Sequence, residues 1–190
     1  MARRRWPGVV GLALAACSAG PGEGATGPAE GPRERASLIR ADAWAPAEGA
    51  DDPLAEHRPD GASCPVSAAT VEAGGFEIQT ELCSYASFSQ PSLVDVRPGD
   101  QLVISAFHSE LSALEPATAH FAVLLDGAIL WEQTVDIPAY PEFAAARPYT
   151  VTVDASAEAP VGAPVVVHLH NHGANQWRLV VVDRIPAEGS

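Results

Sequence analysis

From Phe76 to Val182, apolar and polar residues alternate with a period of two, the spacing of strands that bury one face. The clearest runs predict eight strands, at residues 76–82, 92–96, 101–108, 119–125, 128–135, 149–153, 164–172 and 176–182. No long run has helical periodicity. The pattern therefore predicts an all-β fold, a single antiparallel β-sandwich of the jelly-roll kind.

The turns predict which end of this sandwich each loop occupies, because consecutive antiparallel strands reverse direction. If the turn 97–100 is placed at the bottom, the strand that follows carries His108 to the top. The hairpin turn Asp126-Gly127 then returns to the bottom, and the loop 138–143 and the turn 171–175 return to the top. Five histidines are thereby predicted near the top end, at positions 108, 120, 168, 170 and 172.

Residues 17–62 are rich in Gly, Pro, Ala, Glu and Asp and contain few large apolar side chains. Such a segment buries too little apolar surface to offset its ordering entropy, so it is predicted to be a flexible tether before a domain at residues 63–186. The stretch Leu38–Trp44 is the exception, because its apolar residues suit docking on the domain or a turn of helix. His57 lies within this region and is predicted to be solvated.

Residues 1–16 predict a targeting signal, with the basic run Arg3-Arg4-Arg5 before an apolar stretch too short to span a bilayer. The following Leu14-Ala15-Ala16-Cys17 resembles the lipobox of bacterial lipoproteins. That resemblance implies cleavage before Cys17, its lipidation and a cell-envelope location; the alternative is an ordinary secretory signal peptide. No later stretch has the 18 or more apolar residues of a membrane helix, so the lipid is expected to be the only membrane attachment. Ser18 in place of Asp favours the outer membrane, again by resemblance.

The charge of the chain argues against nucleic acid and anionic lipid as partners. There are 24 acidic residues and 11 basic ones, all of them Arg. Three of these Arg lie in residues 1–16, so the remainder is more acidic still. A surface of this sign repels phosphate groups, so nucleic acid is not expected as a partner.

Cys64 and Cys83 remain once Cys17 is assigned to the lipid. An even pair of cysteines in an exported protein predicts a disulfide bond, and two buried free thiols are the alternative.

The histidines predict a metal site. His168, His170 and His172 share one face of a predicted strand, while His108 and His120 reach the same end from other strands. Neutral imidazoles on neighbouring strands suit zinc or copper, so these five residues are the candidate ligands. The alternative interpretation is that they are structural, each hydrogen-bonded within the fold.

A different kind of function is a site for a small molecule or glycan without metal. Asn171, Asn175, Trp177 and Tyr140 combine aromatic faces with amide groups, which is the mixture that sugar sites use. Trp177 also alternates with Leu179 as a core residue would. No nucleophile elbow, zinc-protease helix or phosphate-binding loop occurs, so a binding module is favoured over an enzyme.

Overall fold

Eleven strands form two antiparallel sheets in residues 33–188, the part of the chain that the computed structural model describes. The strands are β1 (Ala36–Ser37), β2 (Ala45–Pro46), β3 (Ala69–Glu72), β4 (Gly75–Gln79), β5 (Tyr85–Pro91), β6 (Gln101–His108), β7 (Ala117–Leu125), β8 (Ala128–Ile137), β9 (Arg147–Asp154), β10 (Pro164–His170) and β11 (Gln176–Ile185). Short 3-10 helices span Gly49–Asp51, Ala55–His57 and Val66–Ala68, and these residues contain no α-helix. No helix within residues 33–188 could cross a membrane.

The two sheets confirm the all-β, antiparallel sandwich that the alternation predicts. Sheet A has the order β3-β4-β11-β6-β9, with β1 also paired to β11, and sheet B has the order β2-β5-β10-β7-β8. Alternate residues of the central strands meet in the core, such as Leu102 and Ile104 from β6 and Val167 and Leu169 from β10. The number of strands exceeds the predicted eight by three short ones: β1 and β2 depend on pairing with distant strands, and β3 forms a hairpin with β4.

The predicted ends of the sandwich are also correct. His170 lies opposite His120 across the β10–β7 pair, and His108 lies opposite Trp177 across the β6–β11 pair. The loops 138–143 and 171–175 therefore sit at the top, as expected. What strand direction alone does not determine is which sheet, and which face of it, each histidine occupies.

The predicted strand at 92–96 is wrong, because the chain pairs one segment earlier as β5 (Tyr85–Pro91). Small residues conceal this strand: Ser87 and Ser89 alternate with Ala86 and Phe88, so its period-two contrast is weak. Both faces of β5 are largely buried, which also removes the polar-out signal of a half-exposed strand.

Residues 33–62 do not form the predicted tether. Leu38 and Ile39 are buried in the core, which confirms the docking expected for this stretch, and the Trp44 ring stacks on Phe76 with centroids 5.2 Å apart. The segment is ordered by contacts with distant strands rather than by its own composition, since β2 pairs with β5. Cys17 and the rest of residues 1–32 lie outside the described residues.

A buried ionic network joins the two ends of the described chain at the bottom of the sandwich. The Asp100 carboxylate, fully buried, accepts two hydrogen bonds of 2.9 Å from the Arg33 guanidinium. It also accepts hydrogen bonds from the backbone N–H groups of Arg97 and Ala187. One side chain thus holds residue 33, the turn 97–100 and residue 187 together.

The predicted disulfide bond is present between Cys64 and Cys83. It closes a loop with a sequence separation of 19 residues. In the chain-entropy account a loop of this length stabilises the fold by about 3 kcal/mol.

Candidate metal centre

The outer face of sheet B is covered by residues 47–58, which we call the covering segment. Leu54 of this segment packs on Ala122, Leu124 and Val166, which come from β7 and β10. His168 shares this outer face with Val166, since residues two apart on a strand point the same way. The covering segment therefore encloses His168, which has no exposed surface.

Polar contacts hold the covering segment to the sheet beside His168. The Tyr85 hydroxyl donates a 2.7 Å hydrogen bond to Asp52, whose carboxylate is also 3.3 Å from Arg58. Burial and the Asp52 carboxylate raise the pKa of Tyr85. Burial acts to raise the pKa of Asp52, but hydrogen bonds from Tyr85 and the Leu54 N–H outweigh it, so this pKa is lowered.

Three histidines from separate elements converge at this position. His57 comes from the 3-10 helix Ala55–His57, His120 from β7 and His168 from β10. One ring nitrogen of each lies within 4.8 Å of those of the other two. The ring centroids are 5.3–5.8 Å apart. We call this group the histidine triad.

The nitrogen atoms of the triad are unusual for a buried site because several lack hydrogen-bond partners. Among the described residues, neither ring nitrogen of His168 has a partner, and the Nδ1 atom of His120 has none. Buried polar atoms in proteins are nearly always hydrogen-bonded, and each orphaned group costs about 1–3 kcal/mol. The triad therefore combines close ring nitrogens with lone pairs that the described residues leave unused.

The electrostatics keep His168 in its neutral form. Burial, followed by the neighbouring His120, lowers the pKa of His168 to about 3. Neutral imidazole has the free lone pair that a metal ion requires, so this side chain is in its ligating form at neutral pH.

Glu132 on β8 determines which nitrogen of His120 is free. The Nε2 atom of His120 lies 3.0 Å from a carboxylate oxygen of Glu132. When Nε2–H donates to Glu132, the proton is absent from Nδ1, and the lone pair of Nδ1, which has no partner among the described residues, is free for a ligand. A carboxylate behind a histidine ligand fixes its tautomer and strengthens its basicity.

His108 is not part of this group, which corrects one of the five predicted ligands. It belongs to sheet A and points into the core, where its ring lies 4.8 Å from that of Trp177. Its Nδ1–H donates to the Ser109 carbonyl at 2.7 Å, and its Nε2 accepts from the Tyr149 hydroxyl at 3.1 Å. Burial lowers its pKa, so His108 is a satisfied neutral core residue.

His170 and His172 lie beside the triad without joining it. His170 is half-buried opposite His120, and its Nε2 atom has no partner among the described residues. Burial, and then the adjacent His172, lowers the pKa of His170. The ring of exposed His172 is 5.1 Å from that of His170. Of the five predicted ligands, therefore, only His120 and His168 belong to the close group.

Three of the four predicted ligand-binding residues are structural. Asn171 is buried, and its amide donates to Thr80 while accepting from the indole N–H of Trp177 at 3.0 Å. Asn175 accepts from the Ser112 N–H and donates to the His172 carbonyl. Trp177 has no exposed surface. These side chains satisfy the backbone of the 171–175 turn, and Tyr140 alone is exposed.

His57 is the functional candidate that the sequence analysis missed. It lies more than a hundred residues from His168 in the chain, and a region of low apolar content gives no periodicity by which to orient it. The signal that could have found it is Leu54, an isolated large apolar residue within the polar segment. An apolar anchor at that position indicates docking, which brings its neighbours to the sheet.

Comparisons with known proteins give no family. No family model matches the chain, and no curated protein matches it. Among solved structures it is similar to a CBM4 structure, at 17% identity and a TM-score of 0.43 over 79% of this chain and 99% of the other. It is similar to the N-terminal cellulose-binding domain of β-1,4-glucanase C from Cellulomonas fimi, at 13% identity and a TM-score of 0.42 over 63% and 84%. The K3 adhesin domain of Lys-gingipain from Porphyromonas gingivalis W83 has 14% identity and a TM-score of 0.42 over 79% and 98%.

Proposed function

We propose that this domain is a metal-binding module that holds a first-row transition-metal ion, zinc or copper, in the histidine triad. The observation that carries the proposal is the state of His168. This residue is fully buried, its two ring nitrogens have no partner among the described residues, and it faces two further histidines. A coordinated cation would remove the cost of those unpaired nitrogens.

The triad suits zinc and copper better than calcium or magnesium. Imidazole nitrogen is a preferred ligand of zinc and copper, whereas calcium and magnesium are bound by oxygen ligands. Nitrogens on a tetrahedral zinc ion are about 3.3 Å apart, given a bond of about 2.0 Å. The present spacing, within 4.8 Å, would have to close by roughly 1.5 Å. His57 is exposed and lies on a short 3-10 helix, so its approach to the other two histidines requires no change within the sheet.

Three nitrogen ligands would leave one coordination position for water or an incoming ligand. His57 is the exposed member of the triad, so that position would face solvent on its side. In this site His168 and His57 would donate lone pairs to the ion, and Glu132 would hold the His120 proton at Nε2. No catalytic step is assigned to them.

The test is a titration of tag-free protein with zinc and with copper(II) at pH 7.5, followed by calorimetry. We expect one saturable site per chain. Loss of an outer partner of a metal ligand costs about 10–100-fold in affinity, so Glu132→Gln should fall in that range. His168→Ala and His57→Ala remove ligands directly and should each lose on the order of 100-fold or more.

His172→Ala is the matched control, since His172 is exposed at the same end but lies outside the triad. It should bind as the wild type does. Thermal unfolding provides a second readout, because a bound metal should raise the Tm of the wild type and leave that of His168→Ala unchanged. Absence of saturable binding, or equal affinity in wild type and His168→Ala, would contradict the metal function.

We further propose that Cys17 anchors the domain in the cell envelope through lipid. The support is the resemblance of Leu14-Ala15-Ala16-Cys17 to the lipobox. In a detergent phase partition, wild-type protein expressed in a bacterial host should enter the detergent phase, because multiple acyl chains give stable attachment. Cys17→Ser should remain aqueous or accumulate as uncleaved precursor. Wild-type protein that stays in the aqueous phase would count against the anchor.

A further inference from the structure

The top end of the sandwich exposes a group of large apolar side chains that the fold does not use. Leu114 is 96% exposed, Tyr140 71%, Leu82 55% and Phe143 54%. They come from three different loops, which follow β4, β6 and β8. Contiguous exposed apolar surface of this kind marks interaction sites in soluble proteins.

Two of these three loops, those that follow β6 and β8, are fixed to one another by backbone hydrogen bonds. The Tyr140 N–H donates to the Ala113 carbonyl at 2.9 Å, and the Ala113 N–H donates to Pro138 at 3.1 Å. Leu111 and Ala144 exchange two further bonds of 3.0 and 2.9 Å. The rings of Tyr140 and Phe143 are nearly perpendicular, with centroids 6.0 Å apart. The aromatic surface is therefore preorganised, which reduces the entropy cost of binding.

A groove of about 750 Å³ lies between this aromatic loop and the disulfide-bonded loop on the other side. Its lining residues include the polar Ser63, Glu81, Ser84 and Ser112. The Ser112 hydroxyl is buried and has no partner among the described residues. A second groove of about 970 Å³ shares Leu114 with the first and is also lined by Glu115 and Asp136. The site combines aromatic faces with hydrogen-bonding groups.

The 171–175 turn closes the inner wall of both grooves. Gly173 has a positive φ of +84° and lies so close to the neighbouring loop that a Cβ atom there would stand 2.1 Å from the Ser112 carbonyl oxygen. Any other residue at this position would push the two loops apart. The grooves therefore depend on a close approach that only glycine permits.

We infer that the groove beside Tyr140 and Phe143 binds a neutral oligosaccharide. The C–H face of a pyranose ring is apolar and stacks on an aromatic ring, while its hydroxyls need several donors and acceptors around the edge. Carboxylates such as Glu81 form strong charge-assisted bonds with hydroxyl donors. The groove supplies both kinds of contact within a volume suited to a few sugar rings.

The charge of the grooves selects against other occupants. Neither groove is lined by Arg or Lys, and Glu81, Glu115 and Asp136 make the rim acidic. Uronic acids, sulfated sugars, phosphates and anionic lipid headgroups would be repelled. A stable protein partner usually buries about 800 Å² on each side, which is more than four protruding side chains supply. The site is independent of the histidine triad, whose members are absent from both grooves.

The experiment is a binding screen of the wild-type domain, in the presence of EDTA, against immobilised neutral and anionic glycans. Calorimetry with the best soluble oligosaccharide follows. We expect binding to neutral glycans, with Tyr140→Ala and Phe143→Ala each weakening it on the order of 10-fold, since each removes a stacking face. Tyr140→Phe keeps the ring and should retain affinity within a few-fold. EDTA makes the outcome independent of metal binding.

Val161→Ala is the matched control, because Val161 is 64% exposed but lies in the β9–β10 loop at the opposite end. It should bind as the wild type does. Binding to anionic glycans alone, no glycan binding, or binding unchanged by Tyr140→Ala would overturn the inference. Sedimentation of wild type and Tyr140→Ala tests whether a second copy of the chain occupies the groove instead. A wild-type dimer that the substitution converts to a monomer would assign the groove to that second copy and overturn the inference.

Discussion

Replacement of Asp100 by Ala is expected to lower the free energy of unfolding by about 3–5 kcal/mol, the usual cost of removing one partner of a buried ion pair. The substitution leaves the Arg33 guanidinium, whose side chain is 7% exposed, without its main counterion. It also removes the acceptor for the N–H groups of Arg97 and Ala187. Urea unfolding monitored by fluorescence measures the change.

Asp183→Ala provides the comparison, because Asp183 pairs with an Arg35 side chain that is 58% exposed. An ion pair of this kind contributes about 0–1 kcal/mol. If the two substitutions cost the same, the Asp100 network would not stabilise the fold as described. Burial acts to raise the pKa of Asp100, yet hydrogen bonds from the Arg97 N–H and Arg33 outweigh it, so this pKa is lowered. Its stabilisation is therefore complete above the unfolded carboxyl pKa of about 3.9 and is lost below that value.

In the absence of metal, the His168→Leu protein is expected to be more stable than the wild type. It should no longer bind zinc or copper. At pH 7 the gain should be about 1–3 kcal/mol, because an apolar side chain of similar volume removes unpaired buried nitrogens. The difference should grow in acid. The titratable groups whose charges affect the pKa of His168 are His57, His120, His170 and Asp52.

The direction of this pH dependence follows from the pKa values of His168 in the folded and unfolded states. The pKa of His168 is about 3 when folded, below the unfolded value of about 6.5, so the unfolded chain binds the proton first. The contribution of neutral His168 to the free energy of unfolding is complete above pH 6.5. Below that pH it falls by about 1.4 kcal/mol per pH unit, or about 3 kcal/mol by pH 4. Unfolding curves of both proteins in EDTA at pH 7, 5.5 and 4 measure this loss, which His168→Leu should lack. Parallel pH dependence in the two would contradict the burial of a neutral His168.

The architecture was predictable because several strands, such as β6 and β9, bury one face and leave the other more exposed. Residues such as Leu102 and Ile104 alternate with polar neighbours, and Asp126-Gly127 fixes a hairpin. The ends of the sandwich followed from strand direction alone. β5 could not be predicted in the same way, since its covered outer face carries the small residue Ser87 and its inner face Ala86, so the two faces differ little in hydrophobicity.

The histidine triad was only half predictable. The spacing of His168 and His170 places both on one face, and strand direction brings His120 beside them. The same reasoning wrongly placed His108 among the ligands. The direction of a strand does not distinguish the core face of sheet A from the outer face of sheet B. His57 reaches the site through the tertiary contact of Leu54, whose isolated position in a polar segment indicates docking but does not indicate the face of the sandwich on which the segment docks.

The Asp100 network also determines how the domain is presented to its surroundings. The polypeptide arrives at Arg33, at the bottom, while the aromatic groove opens at the top. The eight residues of β6 that separate these ends span about 25 Å. Should Cys17 hold the chain to a membrane, its connection would join the domain on the side remote from Tyr140 and Phe143.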